Sequence, residues 1–227
     1  MTIDELRIEM ETELTWRSDE LRMLKNNLSS ISKEHDKNKY RKSLVVMLYS
    51  HFEGFTKICF LIYIKYINEQ KIKRKNIKSK PELIASSMNE IFKSYENQDK
   101  KNKNFKRQLP EEKTIHTIYR RADLIQQFEN YYDELIYIKD DVISTESNLW
   151  ASVMSKNFYK LGIKHDTFKK SHKAIDRLVN LRNSIAHGSE KAGVSEKIFN
   201  ELEKIVLKDI MEKLILIFER EARILRC

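Results

Sequence analysis

Arg182, Asn183 and His187 are the residues of this chain whose types and spacing could do chemistry together. They lie in Leu178-Val179-Asn180-Leu181-Arg182-Asn183-Ser184-Ile185-Ala186-His187-Gly188, an otherwise apolar helical pattern that Gly188 stops. Arginine is a permanent cation whose planar fork clamps phosphate through two bonds. Histidine is the side chain whose ordinary pKa suits proton transfer near neutrality. On a chain with a net charge of +9, the pair points to phosphodiester cleavage without a metal. His187 would take the proton from a ribose 2′-hydroxyl or give one to the leaving oxygen. Arg182 would stabilise the charge building on phosphorus, and Asn183 would orient phosphate or ribose. DNA lacks the 2′-hydroxyl, so the expected substrate is RNA.

Geometry constrains how these groups can work. At 100° per residue, Asp176, Asn180, Asn183 and His187 share a narrow polar stripe, whereas Arg182 points roughly 140° from His187. One straight helix cannot aim both at one atom. Either the helix unwinds at His187, or a second copy brings its own helix to the same cleft; the second is the favoured expectation and implies a symmetric dimer. The bland reading is that Arg182 pairs with a carboxylate and His187 answers the dipole at a helix C-terminus. On that reading the chain is a non-catalytic helical module that binds nucleic acid or regulates a partner.

The bulk sequence says what must position these residues. Four glycines and two prolines in 227 residues lie far below the usual ~7% and ~5%, so long helices with few turns are expected. A single domain over 1–227 is expected, with about 71–165 holding basic loops and short helices. Cys59 and Cys227, the two cysteines, cannot build a disulfide framework or a thiolate metal site. The acidic start Met1-Thr2-Ile3-Asp4-Glu5 does not read as a signal peptide. Leu44 to Ile67 is apolar but interrupted by Glu53, Lys57 and Lys65, so no membrane span and a cytoplasmic location are expected. The histidines His35, His116, His165 and His172 show no ligand spacing, Asp140-Asp141 is too little for a metal nuclease, and no phosphate-binding glycine loop is present. No metal and no cofactor are expected.

Taken in order, Asp4 to Leu28 reads as a helix, with a break at Ser29-Ser30. A second helix, from near Asp36 to about Gln70, is apolar almost all round and therefore central. It carries Tyr49-Ser50-His51-Phe52-Glu53-Gly54-Phe55. Glu53 there needs a partner or a wet pocket, Gly54 suggests close approach of a neighbouring backbone, and His51 reads as structural or surface. Two basic runs follow. Lys71, Lys73, Arg74, Lys75, Lys78 and Lys80 form the first, and Lys100 to Arg107 the second; both read as solvated segments. Lys73, Arg74, Lys75, Lys101, Lys103 and Arg107 are the RNA-binding candidates, with Phe105 a weak stacking candidate. Pro81 opens a third helix. Glu111 to Ile143 reads as one or two short helices, then a short strand or irregular segment at Tyr137 to Ile143. Leu149 to Phe158 is a short helix, Ser171 to His187 the motif helix, and Ser195 caps a last helix reaching about Leu225.

Arg182-Asn183-Ser184-Ile185-Ala186-His187 resembles the Arg-polar-x3-His motif of the HEPN superfamily, all-helical proteins that include many metal-independent endoribonucleases. Leu48 to Lys57 resembles the MAE-type HEPN branch, where a Tyr-x3-Glu-Gly-Phe element precedes a late Arg-Asn-x-x-Ala-His-Gly. The two motifs in this order are more specific than either alone, and the likeness covers Asp36 to Ile67 and Ser171 to Leu225. It implies an all-α antiparallel bundle of the HEPN type with a less regular middle insertion, and a homodimer with a composite RNA cleft. It also implies a toxin–antitoxin or phage-defence role with a cognate antitoxin or defence protein as partner. By that resemblance Arg182, Asn183 and His187 are catalytic, and Glu53 and Tyr49 support them. Some HEPN toxins carry a tyrosine two positions after the histidine that a partner nucleotidyltransferase modifies; this chain has Ser189 there.

Overall fold

Thr2 opens the first helix with a reciprocal cap: its hydroxyl accepts from the Glu5 N–H, and the Glu5 carboxylate accepts from the Thr2 N–H. Two donors that every helix start leaves open are thereby satisfied. The computed structural model describes residues 1–77, 79–97, 99–103 and 113–225. Helix α1 spans Ile3–Asn26. A 3₁₀ turn at Asn27–Ser30 reverses the chain, and α2 spans Glu34–Glu69. The two are antiparallel, since Lys65 meets Glu9 at 3.2 Å near one end and the Tyr40 hydroxyl donates to the Leu24 carbonyl at 3.0 Å near the other.

The all-round apolarity of α2 is explained by what surrounds it. Helix α7 (His172–Ala186) lies along one side. A C-terminal rod lies along another, made of α8 (Glu196–Lys204), a π-wound segment (Ile205–Met211) and α9 (Glu212–Ile224). Leu44, Leu48, Tyr49, Phe52, Phe55, Phe60, Tyr63 and Ile64 of α2 are fully buried among them. At about 1.5–3 kcal/mol for each such side chain, α2 is the main contributor to the core. The rod runs antiparallel to α1, as Lys25–Glu203 (2.5 Å) and Arg7–Glu219 (3.4 Å) fix. By length and composition alone α2 could cross a membrane; in the fold its apolar surface faces its neighbours.

In the middle of the chain two helices depart from the sequence expectation. The third helix is broken at Met88 into α3 (Pro81–Ser87) and α4 (Asn89–Glu96). Instead of one or two short helices, α5 is a single helix over Lys113–Asp133. Tyr137 to Ile143 takes the irregular form, one of its two expected alternatives, with a 3₁₀ turn at Asp140–Val142. Just before it, Leu135 makes an isolated bridge to Lys73 and the Ile136 N–H donates to Ile72 O at 2.8 Å. Helix α6 spans Ala151–Lys160. The first basic run is not a uniformly solvated face. Arg74 is buried and bonds Tyr131 O and Glu134, while Lys80 is buried against Glu221 at 2.6 Å. Lys78 lies outside the described residues.

Candidate functional site

Helix α7 exposes its motif because of how it ends. Ile175, Leu178 and Val179 bury its other face, and Gly188 adopts φ +72°, a left-handed turn that glycine takes without strain. The closing bonds run from Gly188 N–H to Ile185 O (3.1 Å) and from Ser189 N–H to Ser184 O (2.9 Å). The Ser189 hydroxyl donates to the same Ser184 carbonyl at 3.0 Å. His187 is the cap residue at φ −86°, ψ 2°, and its N–H still donates to Asn183 O at 2.9 Å. The helix therefore does not unwind there. The His187 side chain is exposed and leaves α7 in a different direction from Arg182.

Arg182 is half-buried, with its guanidinium 4.7 Å from the centroid of the Tyr49 ring. Its Nη1 donates to Asn183 Oδ1 (2.8 Å) and Asn148 Oδ1 (3.1 Å). Among the described residues no carboxylate lies within ion-pair range of it. A structural arginine normally acquires such a partner; this one is oriented by neutral oxygens and an aromatic face. Among the described residues its Nε and Nη2 have no hydrogen-bond partner.

Tyr49 and Asn148 form the support. The Tyr49 hydroxyl accepts from the Leu149 N–H at 2.9 Å and lies 3.5 Å from Asn148 Oδ1. Burial raises the Tyr49 pKa, the Leu149 N–H works against that, the Glu53 carboxylate raises it further and Arg182 lowers it. The phenol stays neutral at physiological pH. Glu53, half-buried one turn further along α2, is thus close enough to act on the Tyr49 hydroxyl.

Nothing in the sequence marks Asn148, because a lone asparagine in a polar loop carries no pattern. The structure shows why it is well placed. Glu146 and Ser147 adopt φ +46° and +71°, a left-handed region that non-glycine residues enter at a cost of about 1–3 kcal/mol each. Asn157 of α6 holds the turn by donating to Ser144 O at 2.8 Å. Asp176 of α7 accepts the Ala151 N–H at 3.0 Å, which pins the start of α6 to the motif helix. The Asp176 position in the polar stripe is thereby accounted for.

The other side of α2 is structural. The neighbour of Gly54 is the Arg17 guanidinium rather than a backbone; a Cβ there would lie 3.6 Å from Arg17 Nη2. His51 is buried edge-on to Trp16 at 5.5 Å between centroids. Burial pulls its pKa down, against the Glu20 carboxylate 3.2 Å away.

The RNA-binding candidates are scattered. Lys73 and Lys75 both face Asp133 at the end of α5, at 3.9 and 2.6 Å, and Arg74 is enclosed as described. Lys101 and Lys103 lie before α5, whereas Arg107 and Phe105 are outside the described residues. Among the described residues, no hydrogen bond or ion pair links Lys73, Arg74 or Lys75 to Arg182 or His187. Among the described residues, no three His, Cys, Asp or Glu side chains group closely enough to hold a metal ion.

A protein-family model described as RiboL-PSP-HEPN matches residues 12–220. It is a HEPN family, and the MAE-type branch that Tyr49 to Phe55 resembles is not the one matched. No curated protein and no solved structure matches the chain.

Proposed function

The chain belongs to the RiboL-PSP-HEPN family, and from that premise we propose that it is a metal-independent endoribonuclease. HEPN domains are typically RNases or nucleotide-binding modules. The observation that carries the nuclease reading is Arg182: half-exposed, stacked on Tyr49, without a carboxylate partner among the described residues, and five positions from an exposed histidine. Arg182 and Asn183 receive the scissile phosphate and His187 moves the proton. The 2′-oxygen attacks phosphorus, the P–O5′ bond breaks, and the products are a 2′,3′-cyclic phosphate and a 5′-hydroxyl.

Because α7 keeps its winding through His187, Arg182 and His187 of one chain do not converge. The cleft is completed by the second subunit of a homodimer, whose α7 supplies the missing partner. The protein acts in the cytoplasm as the toxin or effector of a prokaryotic toxin–antitoxin or phage-defence system, restrained by a cognate partner protein. One observation favours the rival, a non-catalytic RNA-binding module: Nη1 of Arg182 is already bonded within its own subunit.

The test is purified protein on single-stranded RNA with a chelator present. Cleavage leaving 2′,3′-cyclic phosphate ends, lost in His187→Ala, is the expected result. Intact RNA with the wild-type protein contradicts the reading.

A further inference from the structure

A second basic feature lies beside the motif, and no run of sequence marks it. A groove of about 550 Å³ is lined by Lys39, Lys42, Ser43, Met47 and Ser50 of α2, with Val46 between them, and by Ile185 and Lys191 from α7 and the loop after it. No lining residue is acidic. The spacing from 39 through 42, 43, 46 and 47 to 50 is one stripe of a helix, about 16 Å long at 1.5 Å per residue. Ile185 sits between Arg182 and His187 in sequence, so the groove opens directly onto the motif end of α7.

The far wall is built deliberately. After Gly188 the chain turns back onto the start of α2, where the Val194 N–H donates to Asn38 O at 2.8 Å. Lys42 Nζ bonds the Glu190 carbonyl at 2.6 Å. Gly193, at φ +97°, approaches so closely that a Cβ would meet the Asn38 carbonyl at 2.7 Å. These contacts hold Lys191 across from Lys39. Both are exposed, and among the described residues neither is in an ion pair. The contrast with Lys73 and Lys75, which share Asp133, is direct: one basic region is answered within the chain and the other is not.

We infer that this groove is a track for the phosphodiester backbone of single-stranded RNA, leading it to the Arg182 side of α7, since Ile185 lies about 60° from Arg182 around the helix. The inference rests on the nuclease reading for its direction of travel, but the backbone contact stands by itself. A second copy of the chain is a poor occupant, because a two-fold contact through the groove would set lysine against lysine. Hydroxyls at Ser43 and Ser50 flank the lysines, and phosphate contacts of this kind position a strand without reading its sequence.

The experiment measures binding of a labelled single-stranded RNA in the His187→Ala background, so that cleavage does not intrude. Lys39→Ala combined with Lys191→Ala changes two exposed side chains and leaves the Lys42 tether in place. Affinity is expected to fall at least about ten-fold at low salt, and the slope of log affinity against log salt to shrink by about 0.7 for each contact removed. Lys73→Ala with Lys75→Ala is the competing arm; loss there rather than at Lys39 and Lys191 overturns the proposal, as does an unchanged affinity in the groove double variant. Circular dichroism melting confirms that each variant is folded. Loss of binding in the groove variant by a protein that never cleaves RNA sinks the nuclease reading and keeps the groove. Normal binding and cleavage by the groove variant, placed in the wild-type background for the cleavage arm, does the reverse.

Discussion

Arg17 and Arg182 each place a guanidinium over an aromatic ring of α2, Phe55 at 6.0 Å and Tyr49 at 4.7 Å from the centroid, yet they are opposite in kind. Arg17 is 8% exposed, sits 4.2 Å from the Trp16 ring centroid, and is bonded to the carbonyl and carboxylate of Glu13. Arg182 has the ring of Tyr49 and two amide oxygens, and no carboxylate. A buried cation is tolerable only when its charge is answered, and Arg17 meets that condition. Arg182 does not, and it remains partly open to solvent. The difference separates an arginine whose charge is answered by a carboxylate from one whose charge is left for the proposed phosphate.

The comparison can be broken first at Arg182. Arg182→Ala is expected to lower the single-turnover cleavage rate by about 10²–10³-fold while costing about 1 kcal/mol or less in urea unfolding. Arg182→Lys should recover little, since one point charge cannot reproduce the planar fork. Arg17→Ala should show the reverse: a loss of about 2 kcal/mol, from an emptied site and an unanswered Glu13, with the rate per folded molecule unchanged. A rate loss at Arg17 as large as at Arg182 would erase the distinction.

Asn148→Ala sharpens it further. Freed from the 3.1 Å contact, Arg182 should be misplaced, with kcat down about ten-fold and RNA affinity nearly constant. An equal fall in affinity would instead mark Asn148 as a part of the binding surface. The smallest effect belongs to the Arg17 side. Burial holds the His51 pKa below its ordinary value near 6.5, so the unfolded chain binds the extra proton first. Stability from this group is complete above about pH 6.5 and is lost as pH falls from there toward the folded value. His51→Gln should flatten that part of the urea-midpoint profile, and an identical slope in both proteins would refute it.

How far the sequence could be read follows from the same physics. Leu44 to Ile64 is buried on several sides and therefore announces itself as central. Helix α7 and its Gly188 stop are visible because capping and apolar spacing agree. Helix α5 is poorly marked in the sequence because Ile118, Ile125 and Phe128 are 59%, 76% and 40% exposed, so its apolar residues do not trace a buried face. The π-wound Ile205–Met211 segment shifts the register of a helix in a way that 3.6-residue periodicity does not encode. At the site, Arg182 contacts both Asn183 and Tyr49, residues that lie within sequence patterns, but Asn148 comes from a loop with no pattern. Lys39, Lys42 and Lys191 are too dispersed to stand out beside Lys73, Arg74 and Lys75, which pair with Asp133 and Glu134.

The central claim is that the cleft is shared between subunits, and mixing two inactive variants tests it most directly. Arg182→Ala and His187→Ala proteins are each purified, combined in equal amounts, and allowed to exchange subunits before RNA is added. In half of the resulting dimers, one of the two clefts then receives an intact arginine from one chain and an intact histidine from the other. About a quarter of wild-type cleavage should return. If the mixture stays as inactive as its components although native mass spectrometry shows mixed dimers, Arg182 and His187 do not work across the interface and the account is wrong.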